Sequence, residues 1–125
     1  MRTEKFNLLL DHGIERIITQ LKITKAQEYS KNGDRLHNFR RIAVRMNISL
    51  AQAVDYLREK HAVSIEDMIA DLERGKTFTV EYISEKCGDD INYGLLLEAA
   101  IIEKNEENKK TEEERKKDDF YKLGE

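Results

Sequence analysis

Polar side chains with the chemistry of a binding site occur just before the most apolar stretch of the chain. Three of them fall on one stripe of a predicted helix: Glu85, Asp89 and Asn92. The same stripe continues with two apolar residues, Leu96 and Ala100. A stripe that changes from acidic to apolar is expected to face a groove, where a carboxylate is costly unless a cation, a metal ion or hydrogen-bond donors compensate it.

A magnesium site is the first chemistry that these acids suggest. Glu85 and Asp89 are one helical turn apart, and Asp67 or Asp71 on the preceding predicted helix can join them. Magnesium prefers oxygen ligands and usually keeps several waters while it bridges substrate phosphates. The alternative is structural, because acids in the first turns of a helix interact favourably with its dipole and pair with neighbouring lysines.

Aromatic and histidine side chains are the next candidates. In one interpretation, His61 acts as a general base or donates a hydrogen bond to phosphate. In the other, it is a packed core residue. Tyr93 either stacks on a base or packs with its hydroxyl group at the edge of the groove. Cys87 is the single cysteine, so no intramolecular disulfide and no thiolate metal site is expected, and we interpret it as a small core residue.

Basic residues cluster after a predicted turn at residues 31–34. Arg35 and Asn38 lie beside the turn and are candidates to bind phosphate, since a guanidinium group offers planar paired donors. Arg40 and Arg41 are interpreted as part of a solvated basic face of the same helix.

An all-α bundle of about four main helices must position these side chains. The chain has no proline, and its apolar residues recur at helical spacing. The first helix is expected from about Thr3 to Tyr29, and the second from Arg35 to Met46 with Asp34 as its N-cap. The third is expected to begin at the Ser49–Gln52 capping box and to end at Leu72 or Arg74, before Gly75. The fourth begins near Thr79.

Composition limits the classes of function. The 22 Lys and Arg residues nearly balance the 25 Asp and Glu residues, so neither a long nucleic acid nor a membrane surface is an expected partner. With no long apolar run, the sequence predicts a cytoplasmic protein. Residues 1–104 are predicted to form the bundle domain, and residues 105–125 a charged helical extension or a disordered tail. The fourth helix is apolar nearly all round between Leu95 and Ile102, which predicts a homo-oligomer.

Three blocks of this sequence carry a family resemblance. They are Tyr29 to Phe39, then Lys60-His61-x-x-Ser64-Ile65-x-Asp67, then Glu85-x-x-Gly88-Asp89-x-Ile91-Asn92-Tyr93. Over about residues 26 to 102 the chain resembles MazG-like proteins, in particular small phage-encoded members of this all-α nucleotide pyrophosphohydrolase superfamily. The resemblance implies a site in which a Glu-Glu-x-x-Glu motif and a Glu-x-x-Asp motif hold magnesium against a triphosphate, so that water attacks and pyrophosphate leaves.

The acidic motifs of that family are incomplete in this chain. Asp89 matches the final acid of the second motif, but the glutamate expected three residues earlier is Lys86. The helix of the first motif offers only Lys60, Ser64 and Asp67. A lysine in place of a metal ligand competes for the same site, so the resemblance implies two alternatives.

In the first alternative the protein binds a nucleotide without hydrolysing it, and as a phage protein it sequesters a nucleotide signal of host defence in the host cell cytoplasm. Its predicted ligand-binding residues are Arg35, Asn38, Lys60, His61, Ser64, Asn92 and Tyr93. The second alternative is a magnesium-dependent nucleoside triphosphate pyrophosphohydrolase with Asp67, Glu85 and Asp89 as metal ligands. A helical adaptor that works through the tail and its Phe120–Tyr121 patch is a third class.

Overall fold

The computed structural model describes residues 1–24, 31 and 33–124 of the chain. The α-helices in this part are α1 (Thr3–Ile17), which a π-helical segment (Ile18–Thr24) follows directly, α2 (His37–Met46), α3 (Leu50–Glu73) and α4 (Val80–Leu123). Within these residues the secondary structure is helical, apart from turns and one isolated bridge between Lys31 and Asp34. The all-α prediction with four main helices is confirmed.

A tight turn precedes α2, as the sequence predicts. Lys31 and Asp34 exchange backbone hydrogen bonds, and Gly33 between them has a φ of 77°. One carboxylate oxygen of Asp34 accepts a hydrogen bond from the Leu36 N–H at 3.1 Å. Because this bond closes a turn of its own, α2 begins at His37 and not at Arg35. Asn32, predicted as part of the turn, lies outside the described residues.

Side-chain caps set the ends of α3 and α4. Ser49 and Gln52 form the predicted capping box, with hydrogen bonds of 3.1 and 2.9 Å between side chain and backbone in both directions. The helix ends at Glu73, and Gly75 follows with a φ of 90°. The Thr79 hydroxyl then accepts from the Tyr82 N–H, so α4 begins where the sequence predicts.

The core lies where α2, α3 and α4 meet. Its buried members are Leu36, Phe39, Val54, Leu96 and Ala100. The start of α3 lies by residues 100–103 of α4 and its middle by residues 89–93, so α3 and α4 run antiparallel. Each fully buried side chain of the size of leucine or phenylalanine contributes about 1.5–3 kcal/mol of transfer free energy.

The first helix packs against α4 only near its C-terminal end. Arg16 lies against Gly88 and Gln20 bonds to Asn92, so α1 and α4 run in the same direction where they touch. No residue of α1 is fully buried. The outer half of its apolar face is exposed, at 54% for Phe6 and 49% for Leu10. The predicted continuation of this helix to Tyr29 crosses residues 25–30, which lie outside the described residues.

The last helix extends beyond the bundle. All side chains from Lys104 to Gly124 are exposed, yet the backbone is helical to Leu123. In the described part of the chain, no helix has both the length and the apolar character needed to cross a membrane.

Candidate functional site

Residues 88–93 of α4, here called the polar turn, contain three of the predicted site residues, Asp89, Asn92 and Tyr93. The predicted stripe is buried at Asn92, Leu96 and Ala100, but one turn before Asn92 the buried residue is Gly88 and not the predicted Asp89. Asn92 is only 2% exposed. The side of the polar turn that carries Gly88 and Asn92 is therefore buried in the bundle, whereas Ile91 on another side is 45% exposed.

A histidine and two aromatic rings cover one side of the polar turn. The His61 ring on α3 lies 4.5 Å from the Tyr93 ring, with a tilt of 36°, and Phe39 on α2 meets Tyr93 edge to face at 6.0 Å. The Nδ1 atom of His61 lies 3.9 Å from Oδ2 of Asp89. This distance is too long for a direct hydrogen bond. The structure therefore brings together three predicted residues from two helices.

Asn92 faces the other side, towards the π-helical segment. Its side-chain N–H donates to Oε1 of Gln20 at 2.8 Å. Its carbonyl oxygen Oδ1 is buried and has no hydrogen-bond partner among the described residues. An unsatisfied buried acceptor costs about 1–3 kcal/mol, and such an atom in a folded protein indicates a missing donor, from water or from a ligand.

Arg16 is a site residue that the sequence analysis missed. Its side chain lies directly over Gly88, so close that a Cβ added there would be 2.7 Å from the guanidinium carbon. Its Nε is buried and, among the described residues, has no acceptor. The available signal was Gly88, because a glycine on the buried face of a helix often marks a close approach by another group.

Other predicted residues lie at the rim or further away. Lys60, Asp67 and Glu85 are exposed, and Ser64 is half-buried on α3. Within residues 1–24, 31 and 33–124, no three His, Cys, Asp or Glu side chains form a group that could hold one metal ion. Magnesium binding by Asp67, Glu85 and Asp89 stays a prediction.

Arg35 lies in a separate groove, and Asn38 is half-buried on α2. The groove has a volume of about 540 Å³ and is mostly apolar; the residues lining it include Leu21, Leu36, Leu95, Ala99 and Ile102. Arg35 donates a hydrogen bond to the Leu21 carbonyl at 2.5 Å. The structure therefore does not bring Arg35 together with His61 and Tyr93.

Arg40 corrects the prediction of a solvated basic face. Its guanidinium binds Asp34 through Nε at 2.7 Å and Glu103 through Nη2, also at 2.7 Å. These hydrogen bonds lower the pKa of both carboxyl groups, and the carboxylates together raise the pKa of Arg40. Sequence periodicity places Arg40 on the outer face of α2, but α4 passes close to that face. The neighbouring Arg41 is exposed, as predicted.

Comparisons with models of known families, with curated proteins and with solved structures found no match to this chain. The resemblance to MazG-like proteins therefore stays a prediction from the motifs in the sequence.

Proposed function

We propose that this protein binds a nucleotide, or a small molecule derived from one, at the polar turn and does not hydrolyse it. The observation that supports this most directly is Asn92, which is buried but has an acceptor oxygen without a partner. A purely structural core gains nothing from such an atom, whereas a ligand with a donor group satisfies it.

The side chains on the two sides of the polar turn suit different parts of a nucleotide. The rings of His61 and Tyr93 offer a surface on which a base can stack, and the amide oxygen of Asn92 can accept from a base amino group or a ribose hydroxyl. Lys60 adjoins His61 at the exposed rim and provides a cation for phosphate. Binding of this kind requires no metal ion.

Calorimetry on the purified protein tests this proposal. We expect nucleoside triphosphate binding to persist in the presence of a chelator and Lys60→Glu to abolish it, while the matched control Lys122→Glu at the far end of α4 leaves it unchanged. Small molecules released from the purified protein, identified by mass spectrometry, would give the natural ligand. Absence of binding to canonical and modified nucleotides would overturn the proposal.

Hydrolysis is tested separately. Nucleoside triphosphates incubated with the protein and magnesium are expected to remain intact. Release of monophosphate and pyrophosphate, abolished by Asp89→Asn, would instead establish the pyrophosphohydrolase alternative. Sequestration of a host defence signal by a phage protein is supported by the motif resemblance alone.

We also propose that the protein is a homo-oligomer. The outer half of the α1 face is exposed at Phe6, Leu9, Leu10 and Ile14, and α4 exposes Leu95 at 42% and Ile102 at 49%. A second copy that covered these residues would remove exposed apolar side chains of both helices from water. Light scattering should give a multiple of the 14.7 kDa chain mass, and Leu10→Glu should reduce it to one chain. A wild-type protein that remains monomeric at high concentration would contradict this.

A further inference from the structure

We propose that Arg16 binds a phosphate group of the ligand and that Gly88 is the residue that lets its guanidinium reach the site. This inference deepens the proposed function and rests on it. Arg16 is 72 residues away from Gly88 in the chain, and it lies on α1, in which no residue is fully buried.

The packing of Arg16 on Gly88 is specific to this glycine. A Cβ at position 88 would lie 2.5 Å from Nε of Arg16 and 2.9 Å from Nη2, distances that real Cβ atoms do not show. The two other glycines inside α-helices, Gly13 and Gly94, have open space at the same position. Only at residue 88, among the described helical positions, does the absence of a side chain admit another group.

The buried Nε atom of Arg16 suggests that the guanidinium binds a ligand with an acceptor group. This N–H donor has no acceptor among the described residues, although a guanidinium is charged and its N–H groups are strong donors. Burying such a donor unpaired is unfavourable, and a phosphate oxygen satisfies both its charge and its hydrogen bond. The planar fork of arginine suits phosphate better than a lysine would.

Asn92 adds a second requirement on the ligand. Its unpartnered oxygen is an acceptor, whereas the unpartnered Arg16 atom is a donor, and Gly88 and Asn92 are one turn apart on the same face of α4. A ligand that satisfies both must present an acceptor next to a donor. Inorganic tripolyphosphate offers phosphate oxygens without a neighbouring hydroxyl or amino group, whereas a nucleotide carries phosphate oxygens beside ribose hydroxyl groups and base amino groups.

The test compares nucleotides with their parts. The probes are the four ribonucleoside triphosphates, the four matching nucleosides and sodium tripolyphosphate, measured by calorimetry with wild-type protein and with Arg16→Met, which keeps the apolar stem and removes the charge. We expect Arg16→Met to weaken binding of the triphosphate about 10- to 100-fold, as for the loss of a charged hydrogen bond, and to change nucleoside binding by less than about 2-fold.

Gly88→Ala tests the same contact without removing a charge. The new methyl group must displace the flexible Arg16 side chain, so we expect triphosphate binding to weaken about 10-fold. In an Arg16→Met background, Gly88→Ala should cause no further loss, because the two changes remove one interaction. Gly94→Ala is the matched control and should leave binding unchanged, since it also replaces a glycine inside α4 but meets no other group.

The possible outcomes separate this inference from the proposed function. If wild-type protein binds triphosphates and Arg16→Met binds them equally well, or loses nucleoside binding to the same extent, Arg16 does not bind phosphate and nucleotide binding still stands. If wild-type protein binds tripolyphosphate but no nucleotide, and Arg16→Met does not, the phosphate site stands and the proposed function fails. If wild-type protein binds neither, both fall.

Discussion

Two parts of α4 have the same helical backbone but differ in the range of the contacts that hold them. The polar turn is held by groups far away in the sequence, such as Gln20, whose hydrogen bond to Asn92 joins residues 72 positions apart. Beyond Lys104, the described ion pairs are local and join residues three or four positions apart, such as Lys116 and Glu112 at 3.4 Å. Local pairs are enough to extend a helix, but only contacts from other helices can assemble a site.

A pair of aromatic contacts illustrates the difference. Tyr93 meets Phe39 edge to face at 6.0 Å, and Tyr121 meets Phe120 at the same distance and in a similar arrangement. Tyr93 is half-buried, whereas Tyr121 is 71% exposed. The geometry of a ring pair therefore says little about its contribution to stability unless burial is known.

The largest expected difference in stability is between variants of these two tyrosines. Tyr93→Ala should lower the free energy of unfolding by about 2–3 kcal/mol, because it leaves a cavity between α2, α3 and α4. Tyr121→Ala should change it by less than about 0.5 kcal/mol. Urea unfolding followed by circular dichroism measures both. Equal losses for the two variants would show that the extension packs against something, and the contrast between the two regions would fail.

Arg40 and Lys116 give the next contrast. Arg40→Met should cost about 1 kcal/mol, since the guanidinium joins two carboxylates on different elements and is partly shielded from water. Lys116→Met removes an exposed pair within one helix and should cost about 0.3 kcal/mol or less. The same urea titrations compare them, and an Arg40→Met variant as stable as wild type would show that the three-residue network adds nothing.

The ionic network also predicts a smaller effect of pH. The hydrogen bonds from Arg40 lower the pKa of Asp34 and of Glu103 in the folded state. Stability from these carboxylates is therefore complete above their unfolded pKa values of about 3.9 and 4.3 and is lost as the pH falls through the folded values. Between pH 7 and pH 3, wild type should lose more stability than Arg40→Met. An equal loss would mean that other carboxylates account for the acid sensitivity.

The smallest effect is expected from shortening the chain. Removal of residues 108–125 should change the free energy of unfolding by less than about 0.5 kcal/mol, because the described side chains in this segment are all exposed. Thermal unfolding of the shortened and complete proteins, each measured at two concentrations, checks this. A large decrease that depends on concentration would indicate that the extension contacts a second copy.

The sequence predicted the local features of the fold well and the contacts between helices poorly. Ser49, Gln52 and Thr79 mark helix ends through hydrogen bonds within three residues, so their roles are readable from spacing. His61 and Tyr93 were each named as candidate ligand-binding residues, but the contact between their rings was not predicted.

Arg16 and Arg40 make contacts that could not be predicted from the sequence. Helical periodicity assigns a residue to a face of its own helix, but it does not say which other helix passes that face. Arg40 is paired with Glu103, 63 residues away, and Arg16 rests on Gly88. Both contacts depend on the arrangement of the helices, which no local pattern contains.

The order of residues along α4 also limits the positions that α1 can take along it. Arg16 and Gln20 are four residues apart, as are Gly88 and Asn92. A shift of one helical turn towards the C-terminal end of α4, about 5.4 Å, would press the guanidinium onto the asparagine side chain and carry the glutamine past it. Gly88 leaves room for the Arg16 side chain and Asn92 does not, so these two residues favour one alignment of α1 along α4.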